Sequence, residues 1–237
     1  MSVEAFALSF FDPDRELYGT ARSGATLLFH GREPAAHADG PEVTEDGDGW
    51  RAELAGRLSL RIEPVSPEAD LDGVTARICR VTGEVDGTNV DCLGTFSITS
   101  IAPHWEELQA VRSISALVDE GSGLLALARR PRDAFGHGDE QVSAGLFIDG
   151  ELHQVEEARI STVYDGGGRQ HSSGLELWFP GEDYPRRLFG TVQAGTSLEL
   201  EGLAVHAAAF TWRMEGHAGA GLYELTVRQD DLEPTAA

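Results

Sequence analysis

A polar loop in the middle of the chain carries the residue types best suited to acid–base chemistry. His137 stands between two glycines, with Asp133, Asp139 and Glu140 close by. Glycine neighbours let an imidazole approach a ligand, and a nearby carboxylate can fix its tautomer and raise its basicity. We therefore predict His137, Asp133 and Asp139 as candidate catalytic residues, with a solvated loop as the alternative.

Two carboxylates within apolar strands are further candidates. Glu224 follows Tyr223 on a strand expected to be half buried, and a carboxyl group in an apolar pocket can remain protonated and act as an acid. Glu176 lies between two leucines that point to the other side of its strand, so it is expected to face outward. We predict Glu224 as the strand acid; the alternative is an outward-facing carboxylate.

Large apolar and aromatic residues recur in the second half, where they could line a ligand cavity or simply fill a core. His104 and Trp105, at the middle of the chain, could line a cleft between two halves, or could pack on a sheet. The predicted ligand-binding residues are Tyr164, Leu177, Phe210, Trp212, Tyr223, Trp105 and His104.

Motifs for metals, nucleotides and covalent catalysis are missing from the sequence. His30 and His37 lie apart in a loop, and no cluster has metal-ligand spacing. There is no Gly-x-Ser-x-Gly elbow, no dinucleotide fingerprint and no phosphate-binding loop; the run 166–168 is a hairpin turn with no helix after it. We predict no metal and no cofactor, and the sequence does not name a reaction.

The elements that would position these residues are short strands at intervals of about 8–14 residues, joined by tight turns such as Asp86-Gly87 and Asp149-Gly150. This spacing predicts an all-β protein with antiparallel sheets closing as barrels or sandwiches. One short helix is expected over 103–112, and a long surface loop over 31–49. Near Gly195 we expect a break between two late strands.

An internal match suggests a duplicated unit. Residues 17–31 and 188–202 align without a gap, and Trp50 and Trp212 follow the two copies at different offsets. We interpret this as one β cassette used twice. The predicted division is a first β domain over 1–102, a linker helix over 103–112, a second β domain over 113–230 and a disordered tail over 231–237.

The second half resembles the tandem lipocalin-like proteins grouped with the carotenoid 1,2-hydratases (hydroxyneurosporene synthases) and the AttH-like proteins. The resemblance covers roughly 113–228, and a polar run typical of that group before its second barrel is replaced here by 132–139. It rests on Ile148-Asp149-Gly150-Glu151, Val163-Tyr164-Asp165-Gly166-Gly167-Gly168, Leu175-Glu176-Leu177-Trp178 and Gly219-Ala220-Gly221-Leu222-Tyr223-Glu224. It implies two lipocalin-like barrels or sandwiches, a hydrophobic isoprenoid- or lipid-like ligand and, beyond that, acid-catalysed hydration or cyclisation.

Charge and composition limit the partners. The 237 residues carry a formal charge of −22, and the 18 basic residues are all arginine, which argues against nucleic acid and anionic membranes. The absence of a leader or a long apolar run predicts a cytoplasmic protein with no integral membrane segment and with reduced, buried Cys79 and Cys92. The prediction is a protein that binds a hydrophobic small molecule, with catalysis left open; the alternative is a protein–protein interaction module with filled barrels. The oligomeric state is not indicated.

Overall fold

The computed structural model describes residues 5–135 and 137–228, excluding the side chain of His137. Within these ranges the chain forms nineteen strands, a 3-10 turn at His137–Asp139 and no α-helix. The strands of the first sheet are β1 (Phe6–Asp12), β2 (Leu17–Arg22), β3 (Ala25–His30), β4 (Glu33–His37), β5 (Glu42–Asp46), β6 (Gly49–Leu54), β7 (Leu58–Pro64), β8 (Ala69–Asp70), β9 (Val74–Val85) and β10 (Thr88–Thr99). Those of the second are β11 (Leu108–Asp119), β12 (Ser122–Pro131), β13 (Gln141–Ile148), β14 (Glu151–Gln154), β15 (Glu157–Tyr164), β16 (Gln170–Trp178), β17 (Arg186–Leu200), β18 (Leu203–Met214) and β19 (His217–Arg228).

The two sheets repeat one topology. The first has the order β4-β3-β2-β1-β10-β9-β7-β6-β5, with β8 added beside β9, and the second has the order β14-β13-β12-β11-β19-β18-β17-β16-β15. All pairings are antiparallel, and in each sheet the first strand pairs with the last. Each sheet curls around its own core, so the predicted all-β tandem architecture is confirmed; we call the two units the first and second half-barrels.

Tight hairpins fix the register of the longest strands. At Asp86-Gly87 and Asp149-Gly150 both turn residues have positive φ (45° and 79°, 52° and 83°). This is the two-residue turn whose twist matches that of the flanking strands, and it favours glycine at the second position. The same geometry occurs at Glu201-Gly202 and Glu215-Gly216, which close the hairpins on either side of β18.

Alternation along the strands divides the apolar residues between inner and outer faces. On β7, Leu58, Leu60 and Ile62 are buried, whereas the residues between them are exposed. The first half-barrel is filled with bulky side chains: Phe6, Leu8, Phe10, Leu28, Leu60, Ile62, Val81 and Phe96. The second combines large residues with alanines: Leu175, Leu177, Leu188, Phe210, Trp212 and Tyr223 with Ala110, Ala126, Ala128, Ala144, Ala158 and Ala208.

A third apolar cluster joins the half-barrels through their outer faces. We call it the inter-barrel cluster; it includes Phe11, Tyr18, Leu27, Phe29 and Ile78 from the first unit and Leu117, Leu125, Leu127, Phe147, Val205 and Leu222 from the second. Because Phe29 and Phe147 are fully buried there, the two units share a continuous core. The faces that an isolated barrel would expose to solvent are therefore covered by the partner unit.

Three local predictions were wrong. The helix expected over 103–112 does not form: Trp105–Glu107 is a turn, and β11 starts at Leu108. The long loop expected over 31–49 contains β4 and β5, which lie at the two edges of the first sheet, where Pro34 is tolerated. The break expected near Gly195 is only a bulge between Val192 and Ala194, and β17 continues through it.

The aligned repeat is also corrected. Gly19 lies on β2 and Gly190 on β17, but the common topology equates β2 with β12 and β17 with β7. The two sheets share one strand order, but the aligned residues 17–31 and 188–202 lie on strands that are not equivalent in that order. The two glycines share a local cause: each is paired with a buried aromatic of the adjacent strand, Phe10 and Trp212 respectively, whose ring covers it.

In the described part of the chain, no helix has the length and apolar character needed to cross a membrane. The predicted tail over 231–237 lies outside the described residues.

Candidate functional site between and within the half-barrels

Strand β19 presents two polar residues to two different environments. Tyr223 points into the second half-barrel and is fully buried, while Glu224 points out of it toward the first half-barrel. The carboxylate of Glu224 forms an ion pair with the guanidinium of Arg22 on β2, and the side chain of Glu224 is 9% exposed. The sequence-predicted Glu224 is thus held as a buried, ion-paired carboxylate at the boundary between the two units.

A small cavity of about 60 Å³ lies beside Glu224, between β1, β2, β9 and β10 of the first unit and β11, β12 and β19 of the second. Its volume suits one or two water molecules. The oxygen-bearing side chains that line it are Ser9, Thr20, Thr95, Ser97, Ser113, Ser115 and Glu224, and the apolar ones include Leu71, Ile114, Leu125 and Leu222. Glu224 is the one carboxylate among the described residues lining this cavity.

A larger notch of about 400 Å³ opens further along the same boundary. On β1, Ser9 lines the cavity and Phe11, the next residue on the same face, lines the notch. On β19, Leu222 lines the cavity and Ala220, the preceding residue on the same face, lines the notch. Tyr18, Leu93, Leu117 and Val118 supply further apolar surface, and Asp12, Asp14 and Asp91 also line the notch. The boundary therefore combines an apolar notch with a small cavity into which hydroxyl groups and one carboxylate point.

A second polar cluster lies inside the second half-barrel. Arg112 occupies an inner-face position on β11, between Ala110 and Ile114. Its Nη1 donates to Glu140 Oε2 at 2.8 Å, and the two side chains are only 8% and 3% exposed. Taking both charges out of water is costly unless they are paired, so the position of each side chain depends on the other.

Two tyrosines complete this cluster. The hydroxyl of Tyr223 lies 2.8 Å from Thr162 Oγ1, and Tyr164 lies near both Arg112 and Tyr223. Burial disfavours the charge of Arg112, but Tyr223, Tyr164 and Glu140 outweigh it and raise the pKa of the guanidinium. Burial also raises the pKa of Tyr223, against a smaller opposing effect of Arg112, so its phenol is neutral and able to donate a hydrogen bond.

Several buried polar atoms in the same half-barrel have no hydrogen-bond partner among the described residues: Arg112 Nε, Gln170 Oε1, His206 Nε2 and Trp212 Nε1. The other nitrogen of His206, Nδ1, lies 2.6 Å from Ser197 Oγ. Burial, together with the positive charge of Arg169, lowers the pKa of His206, against a smaller opposing effect of Asp165. The imidazole is therefore held neutral.

The predicted loop residues lie apart from Glu224. Asp133 and Asp139 are exposed, and the carboxylate of Asp139 accepts a hydrogen bond from the backbone of Phe135. Neither lines the cavity beside Glu224. His137 starts the 3-10 turn, and its side chain lies outside the described part of the structure. The loop does supply Glu140, the partner of Arg112, which follows directly after this turn.

The predicted ligand-binding residues occupy several environments. Leu177, Phe210, Trp212 and Tyr223 belong to the inner core of the second half-barrel, where the rings of Phe210 and Trp212 stack at 5.2 Å. Phe210 also contributes to the wall of the inter-barrel notch. Tyr164 is 39% exposed, at the edge of the interior cluster. His104 is exposed and Trp105 half-buried, and the carbonyl of Trp105 accepts a hydrogen bond from Arg228.

Sequence reasoning missed Arg22, Arg112, Gln170 and His206. A usable signal existed for Arg112: it has the same strand phase as Ala110, Ile114 and Ala116, so alternation points it inward. The ion pair of Arg22 had no such signal, because it depends on how the two units pack. Among the described residues, no group of three or more His, Cys, Asp or Glu side chains is arranged to hold a metal ion.

Comparison with known proteins shows the fold. No family model matches the chain, and no curated protein matches it by sequence. Solved structures that it resembles include CghA with Sch210972 (12% identity, 97% of this chain and 89% of that chain, TM-score 0.62) and kievitone hydratase from Nectria haematococca (8% identity, 96% and 89%, TM-score 0.55). A second CghA structure matches with 13% identity over 96% of this chain and 88% of that chain and a TM-score of 0.58. The tandem, lipocalin-like fold extends over the full described chain.

Proposed function

We propose that the protein binds a hydrophobic, isoprenoid- or lipid-like small molecule at the boundary between the half-barrels. The observation that carries this proposal is the apolar notch of about 400 Å³ that lies next to the cavity containing Glu224. Its volume is within the usual range for small-molecule sites. The apolar body of the ligand occupies the notch, and an oxygen-bearing end approaches the serine and threonine hydroxyls of the cavity.

The notch is a better site than the interior of the first half-barrel, which is closed by bulky residues such as Phe10, Phe96 and Ile62. The net charge of −22 favours a neutral or cationic ligand over an anionic one; of the aspartates that line the notch, Asp12 pairs with Arg15 and Asp91 with Arg80. One solved structure of similar fold is that of CghA with Sch210972, and another is that of kievitone hydratase. These likenesses support a ligand-binding role at the level of fold.

Hydration is a second candidate function, favoured by the position of Glu224 beside a water-sized cavity. In this scheme Glu224 accepts a proton and then returns it, which differs from the acid role expected from sequence. The carboxylate takes a proton from a bound water as the water oxygen bonds to one carbon of a polarised C=C, and the same proton is then delivered to the other carbon. Atoms balance with water as the one co-substrate.

Native mass spectrometry of the protein purified from its own host tests the binding role. We expect a bound lipophilic species that is released on unfolding and depleted in Ala220→Phe, whose added ring fills the notch. A wild-type protein that carries no such species, and takes up none from a lipid extract of the host, would contradict the proposal. That result would favour an interaction module, to which exposed Phe189 and Val163 on the outer face of β15–β17 would contribute.

A further inference from the structure

Unpartnered polar atoms are concentrated inside the second half-barrel, away from the inter-barrel notch. Arg112, Gln170 and His206 are 7%, 3% and 8% exposed, and each has one side-chain atom without a hydrogen bond. An unsatisfied buried polar group costs about 1–3 kcal/mol. Three such groups inside one half-barrel mark a place where a bound molecule could supply their partners.

Strand pairing places the three residues at the same level of the second half-barrel. Arg112 on β11 and His206 on β18 are each paired with Leu225, which lies between them on β19. The side-chain amide of Gln170 donates to the backbone carbonyls of His206 and Tyr223, at 3.0 and 3.3 Å. All three side chains therefore lie at the same end of the interior of the second half-barrel.

The charges at this end of the second half-barrel favour an uncharged occupant. Arg112 is neutralised by Glu140, and His206 is held neutral by burial. What remains available is Arg112 Nε–H as a donor, Gln170 Oε1 as an acceptor, and His206 Nε2, whose role depends on its tautomer. A carbonyl oxygen of a ligand can accept a hydrogen bond from Arg112 Nε–H, and a hydroxyl group can donate one to Gln170 Oε1.

Small inner-face residues and a surface opening lie near the Arg112–Glu140 pair. The inner wall there is built largely from small residues, including Ala110, Ala126, Ala128 and Ala144. An opening of about 520 Å³ between β13 and β15 reaches the inner-face residues Val142, Ala158 and Ile160 and the side chain of Glu140. Tyr164, which is partly exposed and lies near Arg112, is placed where the interior of the second half-barrel meets solvent.

We propose that this end of the second half-barrel is a second binding site, separate from the notch. Its ligand is a compact organic molecule with an apolar body and an uncharged carbonyl or hydroxyl head. The body lies against the alanines, and the head is bound by Arg112, Gln170 and His206. Tyr164 is a positioning residue that orients the guanidinium of Arg112.

Methyl NMR on alanine-labelled protein tests this site with two probes of matched shape, cyclohexanone and methylenecyclohexane. We expect cyclohexanone to shift the methyl signals of Ala128, Ala144 and Ala158 and to bind about tenfold more tightly than the hydrocarbon, because only the ketone offers an acceptor to Arg112. Tyr164→Phe weakens ketone binding several-fold and leaves hydrocarbon binding unchanged. Tyr184→Phe, a change at an exposed tyrosine, affects neither.

The outcomes separate the two sites. Ala220→Phe fills the notch and leaves the alanine shifts produced by cyclohexanone intact if the interior site is independent of it. Equal binding of the two probes, or no effect of either on the interior alanines, would overturn the inference. A crystal structure at saturating cyclohexanone in which only ordered waters contact Arg112 Nε, Gln170 Oε1 and His206 Nε2 would also overturn the inference.

Discussion

Arg22 and Glu224 form an ion pair that links β2 of the first half-barrel to β19 of the second. Removing one member leaves the other charge partly buried without a partner. Because Arg22 is 25% exposed, we expect Glu224→Gln to lower the free energy of unfolding by about 1–3 kcal/mol, less than for a fully buried pair. Urea denaturation of the two single variants and the double variant Arg22→Met/Glu224→Gln measures the coupling.

The exposed pair of Arg61 and Glu63, at 3.0 Å, is the matched control for that measurement. Arg61→Met should change the unfolding free energy by less than about 0.5 kcal/mol, since a solvated pair contributes little. Equal effects at the two sites would show that the link between the half-barrels is not specially buried.

Gly190 and Gly19 are required by the aromatic rings that cover them. A Cβ added at Gly190 would lie 2.5 Å from the ring of Trp212, and one at Gly19 would lie 2.4 Å from the ring of Phe10. Substitution by alanine should destabilise the protein by about 1–3 kcal/mol at each site, by forcing the ring to move. Gly195→Ala is the control, because its nearest neighbour is 3.5 Å away; thermal unfolding that ranks it with the other two would contradict this explanation.

His206 should make stability depend on pH. Burial lowers its pKa in the folded state, so the unfolded chain takes up the proton first as the pH falls below the ordinary value of 6.5. The free energy of unfolding should therefore decrease from pH 7.5 to pH 5.5, and His206→Gln should reduce that decrease. The exposed His153→Gln is the control, and an unchanged pH dependence in His206→Gln would refute the assignment.

The two cysteines should be unreactive in the folded protein. Both are free, and burial raises the pKa of each thiol to about 12, so very little thiolate is present at pH 8. A thiol reagent such as dithionitrobenzoate should label neither until denaturant is added. Rapid labelling of Cys79 under native conditions would show that the core of the first half-barrel opens readily.

Local sequence signals predicted the strands and the hairpins well, because both are fixed within a few residues. The turn at Asp86-Gly87 and the alternation of Leu58, Leu60 and Ile62 are examples, and both are present in the structure. β4 and β5 were missed because edge strands need only one hydrogen-bonded neighbour and tolerate a composition typical of loops.

The candidate site could not be predicted to the same degree, because it depends on packing between units. Alternation shows that Tyr223 and Glu224 point to opposite faces, but only the docking of the first half-barrel turns the outer face into a buried one and brings Arg22 to Glu224. The residue types of the loop led to the prediction of Asp133 and Asp139 as catalytic residues, whereas the buried carboxylate of this loop is that of Glu140.

Titration with the neutral dye Nile red tests the central claim most directly, with wild type, Ala220→Phe and Ser161→Phe compared side by side. Ser161 lines a separate depression on the outer face of the second half-barrel and so provides the matched control for an added ring. We predict saturable binding to wild type and Ser161→Phe, and binding weakened by about tenfold or more in Ala220→Phe, whose ring occupies the notch. Equal affinity of all three proteins, or loss of binding in Ser161→Phe alone, would contradict a ligand site between the half-barrels.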